Sequence, residues 1–109
     1  MAQWFPIRGD VVWLVEGGEA KPTDWLALTV SLGEYNRASG TALFCPIITT
    51  PRGYPFEVPI PPGLEVEGAV VSDQVRAMDW AAMRAKFVCR MPEEVTYEVI
   101  GKLISVLTG

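Results

Sequence analysis

Proline and glycine interrupt this sequence so often that little of it can form a long helix. Nine prolines and ten glycines are spread over 109 residues. A proline removes a backbone hydrogen-bond donor, and a glycine weakens a regular helix or strand. Because half of the residues are apolar, the short segments between them hold enough apolar surface for a packed core. The sequence therefore predicts one small domain, residues 1–109, built from short strands and turns.

Six of these segments have the patterning of strands. Residues 25–30 show it most clearly, because Leu26, Leu28 and Val30 share one face while Trp25 lies on the other. The three aliphatic side chains are expected to face the core. The remaining predicted strands are residues 11–15, 42–48, 54–60, 86–89 and 68–75, the last interrupted by the polar Ser72-Asp73-Gln74.

The C-terminal segment is the clearest helix. Pro92 suits the first helical position, and an apolar stripe recurs every four residues at Val95, Val99, Leu103 and Leu107. No segment approaches the ~20 apolar residues of a membrane-spanning helix, and residues 1–10 lack the apolar core of a signal peptide. The sequence therefore predicts a cytoplasmic protein without a membrane segment.

Three connecting segments complete the expected architecture. Residues 16–24 predict a loop, longer than a tight hairpin needs. The polar residues 35–40 predict a turn or a single helical turn, and residues 79–84 a short helix.

The absence of histidine limits the chemistry that this chain can perform. It excludes Ser/His/Asp and Cys/His catalysis, histidine-based zinc sites and the paired-histidine route to RNA cleavage. Cys45 and Cys89 are far apart in sequence and are expected to be free thiols. A net charge of −4 argues against a binder of long duplex nucleic acid, but allows a local basic groove for a short single strand. No cofactor or metal ion is expected.

Specific motifs occur along the chain. Cys45-Pro46-Ile47, followed by Arg-Gly-Tyr-Pro-Phe-Glu-Val at residues 52–58, is the most specific of them. The others are Arg8-Gly9-Asp10-Val11-Val12-Trp13, Tyr35-Asn36-Arg37-Ala38-Ser39-Gly40, Ser72-Asp73-Gln74-Val75-Arg76, Asp79-Trp80 and the closing helix at residues 92–107. In this order they resemble the MazF/PemK family of toxins, over nearly the whole chain.

The resemblance implies a fold, a function and partners. The implied fold is mainly β, a small SH3-like barrel of the CcdB/PemK kind with a C-terminal helix. The implied function is that of a toxin of a type II toxin–antitoxin system, a metal-independent endoribonuclease that cleaves single-stranded mRNA at specific sequences. The implied partners are single-stranded RNA, a MazE-like antitoxin with an acidic C-terminal tail, and a second copy of the chain in a homodimer.

The sequence departs from the family at two positions. A gapless alignment places Trp25 where the family has its catalytic arginine, and Ile48 where it has its catalytic threonine. Neither side chain can stabilise the negative charge that develops on the phosphate, and loss of one such stabiliser typically costs ~10²–10³ in rate.

Two alternatives follow from these departures. The chain is a compensated enzyme, for example with a β-bulge between Pro46 and Thr49 that brings Thr49 to the threonine position. Otherwise it is a catalytically impaired relative that retains RNA or antitoxin binding and dimerisation.

The candidate site residues follow from this comparison. The candidate catalytic residues are Thr49, Arg52 and Asp73, and the candidate RNA-binding residues are Lys21, Trp25, Gln74 and Arg76. Arg8, at a strand end, is a further cation that could face the groove. Trp25 has three interpretations: a platform for an unpaired base, part of a second apolar cluster, or a dimer contact. An SH3-like adaptor for proline-rich peptides is compatible with the aromatic residues, but no motif indicates it.

Overall fold

Seven strands and two helices form the part of the protein that the structure describes. The structure is a computed structural model, and it describes residues 4–15 and 25–109. The strands are β1 (Asp10–Leu14), β2 (Trp25–Thr29), β3 (Thr41–Ile48), β4 (Glu57–Pro59), β5 (Ala69–Val71), β6 (Arg76–Asp79) and β7 (Lys86–Arg90). Helix α1 (Gly33–Ser39) connects β2 to β3, and helix α2 (Glu93–Thr108) follows β7. Neither helix has the length and apolar character needed to cross a membrane.

β3 is the central strand of the antiparallel sheet. Its Phe44 pairs with Thr29 of β2 on one side and with Arg76 of β6 on the other. β5 pairs with the last two residues of β3, so β5 and β6 follow one another along the same edge of that strand. β4 lies beside β5, β1 beside β2, and β7 beside β1.

The main core is enclosed by the curved sheet and α2. Val58 of β4 and Cys89 of β7 belong to one buried cluster, although their strands lie at the two ends of the sheet. The sheet must therefore curve around this cluster, and the fully buried Val99 of α2 packs into it. The predicted fold class, mainly β and barrel-like with a C-terminal helix, is confirmed.

A second, smaller cluster lies on the opposite face of the central strands. The predicted alternation of residues 25–30 is confirmed, because Leu28 and Val30 belong to the main cluster and Ala27 to the second. The second cluster comprises Val12, Leu14, Ala27, Ala42 and Phe44, and Trp25 packs against it.

The strand predicted at residues 68–75 is shorter than expected: β5 covers only Ala69–Val71, and the predicted polar interruption at residues 72–74 is where it ends. The chain leaves the ladder after Val71, because the buried Ser72 turns its hydroxyl and its backbone N–H onto the carbonyl oxygen of Phe56, at 2.6 and 2.9 Å. Pairing with β3 resumes in β6.

The predicted short helix at residues 79–84 is also wrong. The Asp79 carboxylate accepts hydrogen bonds from the backbone N–H groups of Ala81 and Ala82, which starts a series of turns. Arg84 then takes a left-handed φ of 50°, which ends any helical path and leads the chain into β7.

Three other elements differ from prediction in extent. The strand predicted at residues 54–60 is paired only in β4, because Tyr54 and Glu57 form a turn. Residues 35–39 of the polar segment belong to α1, which is longer than the predicted single turn and has Gly40 as its C-cap. The buried Asn36 amide donates to the carbonyl oxygen of Pro6 at 2.7 Å and so fixes the helix on the N-terminal segment. Leu107 of the predicted helical stripe is 75% exposed. The predicted loop at residues 16–24 lies outside the described residues.

Candidate functional site

A groove of about 1020 Å³ lies where β1, β2 and β3 approach the turns before and after β4 and β5. Its wall combines aromatic, hydroxyl and charged side chains. The lining residues are Trp13, Trp25, Leu26, Ile47, Ile48, Thr49, Thr50, Arg52, Gly53, Tyr54, Pro55, Glu57, Val71 and Gln74. The groove is large enough for a substantial ligand.

The end of β3 brings Ile48 and Thr49 to this groove. Ile48 pairs with Ala69 of β5 in an unbroken register, so the bulge considered for this segment is not formed. Gly68 makes the close approach possible: it has a φ of 114°, and a Cβ atom there would lie 1.8 Å from the carbonyl oxygen of Ile48. Both Ile48 and Thr49 nevertheless line the groove.

The turn after β3 presents Arg52. The carboxylate of Glu57 accepts hydrogen bonds from the backbone N–H groups of Arg52 at 3.0 Å and Gly53 at 3.2 Å. Gly53 has a φ of 76°, which suits the sharp turn. Because Glu57 fixes the backbone of this turn, the exposed Arg52 side chain starts from a defined position on the groove wall.

Trp25, the first residue of β2, has two environments. One part of its indole packs against the second cluster, which confirms that interpretation of the residue. Another part lines the groove. The guanidinium of Arg76 lies 6.0 Å from the centre of its ring, at the outer limit of a cation–π contact. Arg76 therefore adds positive charge beside an aromatic surface.

Tyr54 connects the groove to Asp73. The Tyr54 hydroxyl donates a hydrogen bond of 2.7 Å to Oδ2 of Asp73, and this bond is the main cause of the raised pKa of Tyr54. Tyr54 therefore stays a neutral phenol. The other carboxylate oxygen of Asp73 is buried and has no partner among the described residues. Sequence analysis missed Tyr54, although it belongs to the most specific motif.

The structure brings most of the predicted site residues together. Thr49, Arg52, Trp25 and Gln74 line the groove itself. Asp73 does not line it and reaches it through Tyr54, and Arg76 lies beside Trp25. Lys21 lies outside the described residues.

The expectation for Arg8 is wrong. Its Nε donates to the carbonyl oxygen of Val30 at 3.1 Å, just beyond the C-terminal end of β2. The groove lies at the other end of this strand, where Trp25 begins it. A strand of five residues separates the two positions.

The donor set of the groove suits an anion rather than a metal ion. Within residues 4–15 and 25–109, no three histidine, cysteine, aspartate or glutamate side chains are grouped so that they could hold a metal. The groove instead offers the Arg52 guanidinium, the Thr49 hydroxyl, the Gln74 amide and the aromatic surfaces of Trp25 and Tyr54. These groups can contact a phosphate and an unpaired base.

Fold and groove define the class: a small barrel-like β-protein with a mixed cationic and aromatic groove at its strand ends. The sequence model of the PemK-like, MazF-like toxins of type II toxin–antitoxin systems matches residues 7–107. The chain belongs to this family.

Individual relatives are similar over their whole length. The endoribonuclease toxin MazF of Escherichia coli K12 is 33% identical over 113 aligned positions, which cover 100% of this chain and 99% of the relative. A crystal structure of MazF from Deinococcus radiodurans is 36% identical with a TM-score of 0.89, covering 98% of this chain and 100% of that chain. A MazE–MazF crystal structure from the same organism is 38% identical with a TM-score of 0.89, covering 97% and 98% of the two chains.

Proposed function

We propose that this protein is the toxin of a type II toxin–antitoxin pair and cleaves single-stranded mRNA in the cytoplasm at specific sequences, without a metal ion. The observation that carries the proposal is the groove, which collects Thr49, Arg52, Trp25 and Gln74 on one surface. The endoribonuclease relative from E. coli, aligned over the full chain, supports the same activity.

The reaction requires charge stabilisation that the groove can supply. Attack of a ribose 2′-hydroxyl on the neighbouring phosphate creates a negatively charged phosphorane, and a fixed cation stabilises this species more than the starting phosphate. Arg52 is the proposed cation, because Glu57 holds its backbone beside the groove. Thr49 is the proposed hydroxyl donor to a phosphate oxygen.

Asp73 acts through Tyr54 in this proposal. Its Oδ2 accepts the hydrogen bond that the Tyr54 hydroxyl donates, so the hydroxyl oxygen keeps its lone pairs for a hydrogen bond from the substrate. Asp73 is thereby a positioning residue for Tyr54.

Trp25 is the proposed platform for an unpaired base. Stacking of one base on an aromatic side chain contributes ~1–3 kcal/mol. Arg76 beside the ring and Gln74 in the groove are available to a phosphate and a base edge, respectively.

The proposed protein partners are an antitoxin and a second copy of the chain. MazE and MazF of D. radiodurans form a complex in the crystal. For this chain we propose a MazE-like partner whose acidic C-terminal tail occupies the groove, since carboxylates and phosphates compete for the same cation. We also propose that the active form is a homodimer.

End mapping of cleaved RNA tests the proposed activity. Purified protein is incubated with a long single-stranded RNA in EDTA, and both new ends are identified. We expect cuts at a recurring short sequence that leave a 2′,3′-cyclic phosphate and a 5′-hydroxyl. Intact RNA at a large excess of protein would contradict the proposal.

A binding-only relative is the second candidate, because Trp25 and Ile48 do line the groove. It predicts RNA or antitoxin binding without cuts. In that case, the double change Trp25→Arg with Ile48→Thr should restore part of the cleavage. No gain from this double change would show that these two positions do not limit the reaction.

A further inference from the structure

A second cleft lies between the N-terminal segment and the turns that join β6 to β7. Its volume is about 350 Å³, within the lower range of small-ligand sites. The lining residues are Trp4, Trp80, Ala81, Arg84, Ala85 and Lys86. Two of these are tryptophans and two are cations, and no carboxylate is among them. The combination suits an aromatic anion.

Trp80 forms a fixed wall of this cleft. Its Nε1 donates a hydrogen bond of 2.8 Å to the carbonyl oxygen of Asn36. Its ring also packs against the second cluster. Trp4, which also lines the cleft, is 42% exposed. A planar ligand would therefore meet one preorganised indole and one accessible indole.

Arg84 has an unusual backbone conformation for an arginine. It is the non-glycine residue with a positive φ, 50°, in the described part of the chain. A residue with a Cβ atom adopts this conformation at a cost of roughly 1–2 kcal/mol, which glycine does not incur. Such strain is frequent where a side chain is presented to a ligand.

The two cations of the cleft are available to a ligand. Arg84 and Lys86 are both exposed, and neither forms an ion pair within residues 4–15 and 25–109. In a chain with a net charge of −4, two neighbouring cations that have no acidic partner in the described part of the chain make a local positive site.

One cross-strand pair connects this cleft to the groove. Lys86 of β7 pairs with Trp13 of β1, and Trp13 lines the groove. Cross-strand partners have their Cβ atoms only ~4.5–5.5 Å apart. A ligand that leaves the groove across Trp13 therefore meets Lys86 next.

We propose that the cleft binds one unpaired nucleotide of a single-stranded RNA whose neighbouring nucleotides occupy the groove. The base stacks on Trp80 and Trp4, and Arg84 and Lys86 contact its phosphate. Two indole surfaces favour a base over a peptide rich in carboxylates. This inference rests on the proposed RNA function and extends it from the cleavage site to a flanking position.

Binding of uncleavable oligomers of two lengths tests the proposal. Deoxyuridine oligomers of about 4 and about 12 nucleotides lack the attacking 2′-hydroxyl, and only the longer one should span groove and cleft. Trp4→Ala should weaken binding of the longer oligomer by about five-fold or more, as expected for one lost stacking contact. Lys86→Gln should reduce the slope of log K against log salt by about 0.7. The shorter oligomer should show neither change.

Matched variants separate the contacts from general damage. Trp4→Phe keeps an aromatic face and Lys86→Arg keeps the charge, so both should bind the longer oligomer nearly as the unchanged protein does. Unchanged binding in Trp4→Ala and Lys86→Gln, or an equal loss for both oligomers, would overturn the proposal. The proposal would also be overturned if these two variants lost affinity for a polyglutamate peptide while their affinity for the longer oligomer stayed unchanged.

The outcome is independent of the cleavage assay. If the protein cuts RNA in EDTA but the cleft variants lose no affinity for the longer oligomer relative to the shorter one, only this inference fails. If it does not cut RNA but the length-dependent loss is found, the proposed activity fails and the nucleotide site stands.

Discussion

Arg52 is the residue on which the proposed chemistry depends most. Its backbone is held by Glu57, and its side chain shares the groove with Thr49. Among the described residues, Arg52 is the arginine that lines the groove.

Replacing Arg52 should therefore affect the rate more than the affinity. We expect Arg52→Ala to lower the single-turnover cleavage rate by ~10²–10³, as is typical for a lost stabiliser of developing charge. Arg52→Lys keeps the charge without the planar fork and should lose less. Quenched-flow or gel assays at saturating RNA measure the effect. A rate for Arg52→Ala within a few-fold of the unchanged protein would exclude Arg52 from the reaction.

Cys45 links stability to pH. Burial, with a smaller contribution from the Asp73 carboxylate, raises the pKa of its thiol from 9.0 to about 12. The stabilising effect is complete below pH 9 and is lost as the pH rises toward 12, because the unfolded chain then releases a proton that the folded chain retains. The expected loss is about 1.4 kcal/mol of unfolding free energy for each pH unit in this range.

Urea denaturation across alkaline pH measures this effect. Cys45→Ala lacks the thiol and should lose stability less steeply above pH 9, although its stability at neutral pH is lower because of the cavity. Parallel curves for the two proteins would contradict the assigned pKa. Other groups that titrate above pH 9 are the same in both proteins, so their contribution cancels when the slopes of unfolding free energy against pH are compared.

At the scale of elements, the junction of β3 with β5 positions the groove. Gly68 has no room for a side chain, since a Cβ atom would meet the backbone of Ile48 and Thr49. Gly68→Ala should destabilise the fold by about 2–4 kcal/mol through overpacking and an unfavourable φ. It should also move Thr49 and so reduce cleavage in the fraction that remains folded.

Gly101 of α2 is the matched control. It is exposed, and no atom lies within 4 Å of the position of an added Cβ. Gly101→Ala should therefore stabilise the helix by about 1 kcal/mol. Thermal unfolding of both variants measures the two changes in stability. Equal changes would show that the fold accommodates a Cβ atom at Gly68 without losing stability.

The elements predicted best from the sequence are those whose apolar residues follow a single, regular spacing. Leu26, Leu28 and Val30 alternate along β2, and Val95 and Val99 recur along α2, so both elements were predicted correctly. The polar residues 72–74 predicted the interruption after Val71, but not the geometry of the turn there. That geometry depends on the hydrogen bonds of Ser72 to a carbonyl group 16 residues away, a contact that tertiary structure alone creates.

The candidate site, too, was predicted where motifs identify its residues and missed where tertiary contacts place them. Thr49, Arg52 and Gln74 were identified from motifs and do line the groove. The indirect position of Asp73 was not predicted, because it depends on a hydrogen bond from Tyr54 across 19 residues. Arg8 was misplaced because a strand end can face either end of a barrel, and sequence alone does not tell which.

At the scale of the whole molecule, the C-terminal half of α2 leaves apolar side chains in solvent. Ile104, Val106 and Leu107 are 50%, 49% and 75% exposed. Such a concentration within about one turn of a helix is typical of a surface that is covered by a partner. We expect a second copy of the chain to cover it in the proposed homodimer.

Sedimentation analysis tests this expectation. Ile104→Glu should shift the protein from dimer to monomer, because a charge would be buried without a partner in the interface. Ser105→Glu, next to it on the helix, adds the same charge at an exposed polar residue and should affect dimerisation less. A monomer at all concentrations of the unchanged protein would contradict the proposed dimer.

The pairing of β1 with β7 has a consequence for how the protein is made. Asp10 finds its strand partner and its ion pair in Arg90, at 2.9 Å, 80 residues further along the chain. Contacts of such long sequence separation form late, after the intervening chain is available. A nascent chain therefore cannot complete its barrel while β7 is still inside the ribosome, so the fold closes only when synthesis is nearly finished.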